Sequence, residues 1–357
     1  MKILLVGEFS SFHKYLKDGL ESLGHDVVLA STGDTWKQIP GTDIQLFSIK
    51  GKNKISKALS GGWSAYRIAQ SLTGYDVVQF VNPRLYPDCI NWFMNNKIIK
   101  GNGLVSLCAV GGDMALYDAH RKGLLTQYAL DYDNKLRHLY SGKNIFSKYI
   151  RRNEQRFVDR CNIIISGSYE YIVGYQDMNT KNCFIPMPCS VDKITYQNNL
   201  LKDKVVLFHG ISRPREKGSP FILEALKRIK KKYGNLVEIH TYEKLPFTEY
   251  VKVMSKTNIV IDQCCCYGYG INALIAMAQG KIVLSGARPE MRRLIDEECP
   301  IVSILPDVNQ IEDAIEQVIE HRNEFVEFGR QSRSYVEKVH NSKKIASQYV
   351  NIWSKLQ

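Results

Sequence analysis

The sequence predicts an α/β chain of two doubly wound, Rossmann-like domains facing a cleft, and three observations lead there. Short apolar runs alternate with helix-like segments from the first residues onward, which is the pattern of a parallel sheet covered on both faces. The alternation pauses in a polar stretch, Asp192 to Asp203, and then starts again. A chain of 357 residues with 44% hydrophobic content has enough apolar side chains for two cores.

Taken in order, Lys2 to Gly7 is a short apolar strand, Tyr15 to Leu23 a helix closed by Gly24, and Asp26 to Ala30 a second strand. Further strands are expected at Ile44 to Ile49, Val77 to Val81, Leu104 to Val110, Ile163 to Ser166 and Cys183 to Ile185. The second series is Val205 to Phe208, Val237 to His240, Ile259 to Asp262, Ile282 to Ser285 and Val302 to Leu305. The expected division is an N-terminal domain over 1–195, a C-terminal domain over 196–340 and a closing helix within 341–357.

Two glycine-bearing segments carry the chemistry. His209 to Gly218 reads HGISRPREKG and joins a strand to the helix-like Phe221 to Ile229, so Arg213 and Lys217 fall on a strand-to-helix loop, a place suited to anions. In the second, YGYGINALIAMAQG from Tyr267 to Gly280, Gly268 and Gly270 let backbone approach a ligand, and the N-terminus of a helix over Asn272 to Ala278 faces it. Together they read as a diphosphate cradle.

The pair resembles the C-terminal half of the retaining GT-B glycosyltransferases, in particular glycosyltransferase family 4 (glycosyl transferases group 1). The matching residues are Gly210, Arg213, Glu216-Lys217-Gly218, Tyr267-Gly268-Tyr269-Gly270, Ile275-Ala276-Met277-Ala278 and Pro289-Glu290. Both glutamates of the family's spaced pair are absent, with Tyr267 and Ile275 in their places. Ile185 to Asp192, IPMPCSVD, resembles the segment before the interdomain linker, and Phe328 to Leu356 resembles the closing helices, the last of which crosses back onto the N-terminal domain in such enzymes.

The resemblance implies a GT-B fold and a nucleotide diphosphate sugar as donor substrate, with no other cofactor and no metal. A departing nucleoside diphosphate builds negative charge, which Arg213, Lys217 and the amides around Gly270, Ile271 and Asn272 would meet. Gly210, Tyr267, Gly268 and Glu290 complete the expected donor side; Glu290 either orients its loop or reaches the donor. Asp262, at the end of its strand, stands in for a missing glutamate. On the acceptor side, Glu8, Ser10 and Ser11 follow the first strand, and Gly111-Gly112-Asp113 resembles the family's His-Gly-x-Asp, with Val110 in place of the histidine. Asp113 either positions a hydroxyl group or caps its loop.

The net charge of +12 leaves anionic substrates, an acidic membrane surface or nucleic acid as partners, and no nucleic-acid module is present. Lys50, Lys52, Lys54 and Lys57, leading to Trp63 and Tyr66, read as a basic loop that either touches lipid headgroups or is simply solvated. Lys148, Arg151, Arg152, Arg156 and Arg160 form a second cluster open to the same two readings, whereas Lys227 to Lys232 is a solvated helix face. Nine cysteines, three of them consecutive at Cys264 to Cys266, lack metal-site spacing and read as reduced, small core residues. Asp131-Tyr132-Asp133 mimics a metal-binding Asp-x-Asp but sits in a helix-like segment, where residues two apart diverge. His209 is expected to be a satisfied structural histidine.

No apolar run reaches the length of a membrane span, and the opening MKILLVGEF lacks a signal-peptide core, so the expected location is cytoplasmic, peripheral on the inner membrane face. The expected activity is metal-independent transfer of a sugar from its nucleotide diphosphate, with retention, to a glycan or polyprenyl-linked acceptor in surface polysaccharide synthesis. The alternative is a weak or inactive GT-B subunit that binds nucleotide or a partner transferase.

Overall fold

The computed structural model of the chain describes every residue except 35, 36 and 38, with only the backbone of Phe247. Among the described residues, the first sheet holds β1 (Lys2–Val6), β2 (Asp26–Ser31), β3 (Ile44–Gln45), β4 (Val77–Phe80), β5 (Leu104–Ala109), β6 (Ile163–Ser166) and β7 (Asn182–Phe184). Their order is β3-β2-β1-β4-β5-β6-β7, with every neighbouring pair parallel. The second sheet, β12-β11-β10-β8-β9, holds β8 (Val205–Ile211), β9 (Val237–Glu243), β10 (Ile259–Ile261), β11 (Ile282–Ser285) and β12 (Val302–Ser303), again all parallel. The central strands are buried along their whole length because helices cover both faces, as in β4, β6 and β10.

Every strand expected from the sequence is present, although β3 is shorter than Ile44 to Ile49. The first helix begins earlier than expected, at Phe12, because the Glu8 carboxylate reaches forward and accepts the Lys14 N–H at 2.8 Å. The basic stretch after β3 is not a loop: a helix spans Lys54–Ser71. Asn53 and Ser56 open it with a reciprocal capping box, and Gly61, Ala65 and Ala69 form a small buried stripe that lets it lie close to the sheet.

Right-handed crossovers decide which face each helix covers. Helices Lys54–Ser71, Asp88–Lys100 and Ile145–Val158 connect strands in one direction across the first sheet and pack side by side on one face. Phe12–Ser22 connects β1 back to β2 and lies on the other face, where the last helix, Ser342–Ser354, packs against it. That last helix buries Tyr349 and Trp353 completely, and Gly19 allows the approach because a Cβ there would collide with the Ser342 carbonyl. Its entry is tied to the N-terminal domain by Ser342 N–H donating to Cys189 O at 2.9 Å and Cys189 N–H donating to His340 O at 2.7 Å. Among the described residues, no helix is long and apolar enough to cross a membrane.

Candidate active site

The carboxyl ends of both sheets face one another across a cavity of about 550 Å³. Loops after β1, β2, β4, β5 and β6 form one wall, and loops after β8 and β10 the other, which is where open α/β sheets place ligands.

On the C-terminal wall the loop after β8 turns into a short helix, Pro214–Lys217, with proline at its first position. Lys217 is only 3% exposed, and its Nζ donates to Asp262 Oδ1 at 2.5 Å. Asp262 is itself buried, so the two charges neutralise each other while lying beside the cavity. Arg213 differs, with half of its side chain exposed and Nη1 donating to Glu216 Oε2 at 3.0 Å. Gly218 follows at φ 75°, and a Cβ there would strike the sulfurs of Cys264 and Cys265. The cysteine run is therefore the small floor beneath this loop, with Cys264 Sγ donating to Lys217 O and Gly218 O at 3.7 and 3.6 Å. Gly270 and Ile271 also line the cavity, placing the N-terminus of helix Ile271–Ala278 against it.

Gly210 and Asn272 line a small adjoining hollow of about 40 Å³ walled by Tyr242 and Tyr250. Tyr267, Gly268 and Glu290 do not line the cavity. Tyr267 instead joins a seam between the domains: its hydroxyl accepts the Thr126 N–H at 3.0 Å, and Arg288 sits over its ring at 4.2 Å. Arg288 donates to Thr126 O at 2.8 Å and Gln127 O at 2.6 Å. Gly268 fits the same seam because a Cβ would run into Ser168 Oγ. Ile275 is 1% exposed in the core, and Glu290 is half-buried in the first turn of Pro289–Arg292.

On the N-terminal wall, Ser10 and Asp113 line the cavity, whereas Glu8 and Ser11 are buried beside it. Burial pushes the Glu8 carboxyl up to about 7. Asp113 caps helix Met114–Arg121: its Oδ1 accepts the Leu116 N–H at 3.0 Å and its Oδ2 accepts the Tyr175 hydroxyl at 2.6 Å. Both oxygens are thus engaged, and burial raises the group to about 6. Beneath it Glu154 accepts the Met114 N–H at 2.8 Å and is lifted to about 8, first by burial and then by the Asp113 charge.

Several lining residues were not singled out from the sequence. Lys37 donates to Ser10 Oγ at 2.9 Å and to Asp34 Oδ2 at 2.5 Å, and burial, with Arg213 and Lys217 nearby, lowers its pKa. Glu170, buried and bonded by Ser168 Oγ, has its carboxyl raised by desolvation. Arg84 pairs with Asp88 at 2.8 Å and donates to Tyr140. The one available signal was their place just after strands β2, β6 and β4. His209 is fully buried, with Ile261 O at 2.8 Å and Ser219 Oγ at 2.9 Å on its two ring nitrogens, and burial lowers it to about 4. Asp131 and Asp133 both serve as local caps, accepting the N–H of Tyr128 and of Lys135. Among the described residues, no group of three His, Cys, Asp or Glu is placed to hold a metal.

The whole chain can be laid on several solved structures. It is similar to a sucrose-phosphate synthase from Thermosynechococcus elongatus (TM-score 0.65, 14% identity, covering 100% of this chain and 99% of that one). It is also similar to HepE of Anabaena in complex with UDP and glucose (TM-score 0.63, 10% identity, 99% and 100% covered). A third is a UDP-GlcNAc 2-epimerase from Neisseria meningitidis bound to UDP-GlcNAc (TM-score 0.56, 14% identity, 99% and 100% covered). No family model matches the chain, and no curated protein sequence matches it. The fold is GT-B, two Rossmann-like domains around a cleft. At these identities the likeness establishes architecture alone, and the same architecture serves a synthase and an epimerase.

Proposed function

We propose that the chain is a glycosyltransferase that takes a sugar from a nucleotide diphosphate and passes it, with retention, to a glycan or polyprenyl-linked acceptor of a surface polysaccharide at the cytoplasmic membrane face. The observation that carries this reading is the convergence of Arg213, Lys217 and Lys37, from opposite walls, with a helix N-terminus at Gly270 and Ile271 on one interdomain cavity. The diphosphate would lie against these groups.

In the transfer, the bond from the sugar's anomeric carbon to the diphosphate oxygen breaks, and a bond to the acceptor oxygen forms on the same face. The acceptor proton passes to the departing diphosphate, so the reaction needs no separate enzyme base. Arg213 and Lys217 would meet the charge that develops on the leaving group without a metal. Asp113, with both oxygens committed, would act by holding the Gly111–Asp113 loop in place rather than by moving a proton.

A second reading, an inactive GT-B subunit that still binds nucleotide or a partner transferase, draws on Tyr267 and Ile275. One serves the domain seam and the other the core, so neither grips a sugar or ribose hydroxyl. A thermal-shift panel of UDP, GDP, ADP and CMP, with their sugars, tests both. Stabilisation by one nucleoside diphosphate, reduced about tenfold in affinity by Arg213→Ala, supports the donor site. Slow hydrolysis of the matching nucleotide sugar would then separate the transferase from the inactive subunit. No shift with any nucleotide would overturn the donor site and favour the subunit that binds a partner transferase.

A further inference from the structure

The three helices that cover one face of the N-terminal sheet carry an outer surface that packing within the chain does not explain. On Lys54–Ser71, Ile55, Leu59 and Trp63 recur every four residues and are 73, 70 and 64% exposed, on the side of the helix away from its buried Gly61, Ala65 and Ala69. A solvent-facing stripe is ordinarily polar. The patch continues sideways: Trp63 stacks on Tyr66 at 5.9 Å, and Tyr66 stacks at 6.0 Å on Phe93 of helix Asp88–Lys100, itself 55% exposed. On the third helix Ile145 and Phe146 are 89 and 55% exposed, and Tyr149 ties that end to Asp88 O at 3.2 Å.

The charges around these side chains are all of one sign. Exposed Lys54, Lys57, Lys148, Arg152 and Arg156 stand among them, and the Lys97 ammonium lies over the Tyr66 ring at 4.9 Å. Of the acidic residues on the three helices, Asp88 is paired with Arg84 and Glu154 is buried.

Position adds a third observation. A helix that returns a chain to the start of a parallel strand begins at the carboxyl edge of the sheet, so all three helices begin at the edge where the cleft opens. Ile55, Leu59, Phe93, Ile145 and Phe146 lie in the first two turns of these helices, and Trp63 in the third.

We infer that this three-helix face is a docking surface for an anionic lipid bilayer, with the apolar side chains entering the interfacial layer and the cations meeting headgroup phosphates. An identical copy is a poor occupant, since a two-fold contact would set the same cations against each other in a chain of net charge +12. Nucleic acid would leave the aliphatic Ile55, Leu59 and Ile145 without a partner. The inference deepens the proposed function by setting the cleft mouth at the bilayer, where a lipid-linked acceptor would be presented, but its test does not depend on turnover.

The test is co-sedimentation of the full chain with phosphatidylcholine vesicles, with and without phosphatidylglycerol. The chain is expected to pellet with the anionic vesicles at low salt, to be released as salt rises and to ignore the neutral ones. Leu59→Ser/Trp63→Ser and, separately, Lys54→Glu/Lys57→Glu are each expected to lower partitioning at least about tenfold while keeping the wild-type melting temperature and any nucleotide-induced shift. A chain that stays in the supernatant with anionic vesicles at low salt overturns the inference, as does binding that neither variant changes. Sedimentation equilibrium showing a dimer dispersed by Leu59→Ser/Trp63→Ser would assign the face to a second copy instead.

Discussion

The two walls of the cleft solve opposite electrostatic problems. The C-terminal wall brings cations and a helix N-terminus to the cavity and pairs Lys217 with Asp262. The N-terminal wall buries carboxyl groups, Asp113 on the surface of the cavity with Glu154 and Glu8 behind it, and burial raises all three above the usual carboxylate range. On the proposed function, an anionic leaving group would fit one side only: a diphosphate would complete the basic wall and would be repelled by the other unless its acids hold their protons. Lys37 is the exception that ties the walls together, a cation from the N-terminal domain placed toward the basic side.

The sharpest way to break this contrast is Lys217→Ala. It leaves the buried Asp262 carboxylate uncompensated and is expected to destabilise the protein by about 3–5 kcal/mol in urea melts. Lys217→Met with Asp262→Leu, removing both charges, should recover most of that loss; if it recovers none, the pair is not the buried unit described here.

On the acidic wall the effect is a slope with pH. The Glu154 carboxyl sits at about 8 in the folded protein against an ordinary 4.5, so between these values the native state keeps a proton that the unfolded chain has released. Stability therefore falls by a few kcal/mol as pH rises across that window. Glu154→Gln preserves the acceptor for the Met114 N–H and should be more stable than wild type above pH 8, with the gain vanishing below pH 4.5. Melting temperatures across this range that fall in parallel for the two proteins would refute the assignment.

At the seam between the walls, Arg288→Ala removes two hydrogen bonds and a ring contact and should cost about 2 kcal/mol. Tyr267→Phe removes one hydroxyl contact and keeps the ring, for about 1 kcal/mol, the smallest of these effects. Equal losses from the two variants in chemical denaturation would mean that the arginine's ring contact and carbonyl bonds together carry no more weight than the tyrosine hydroxyl.

Much of this was legible in the chain. Strand positions followed from apolar runs three to seven residues long, and Arg213 and Lys217 followed from the strand-to-helix loop that holds them. The misread stretch was Lys54–Ser71, where two glycines and two lysines looked like a loop; the helix exists because its small residues face the sheet, a fact of packing rather than local preference. Ile275 and Tyr267 were recognisable as departures from the pattern the chain resembles, but their places in the core and the domain seam were not.

The sequence by itself determined the alternation of elements, the restart that makes two domains and the basic loop after β8, because period, turn residues and charge act within a few residues of one another. Tertiary structure alone decided that Lys217 pairs with Asp262, that Tyr267 belongs to the domain seam and that Lys37 reaches the cavity. These contacts join residues tens to well over a hundred positions apart, and only folding removes the water that would otherwise screen or satisfy them.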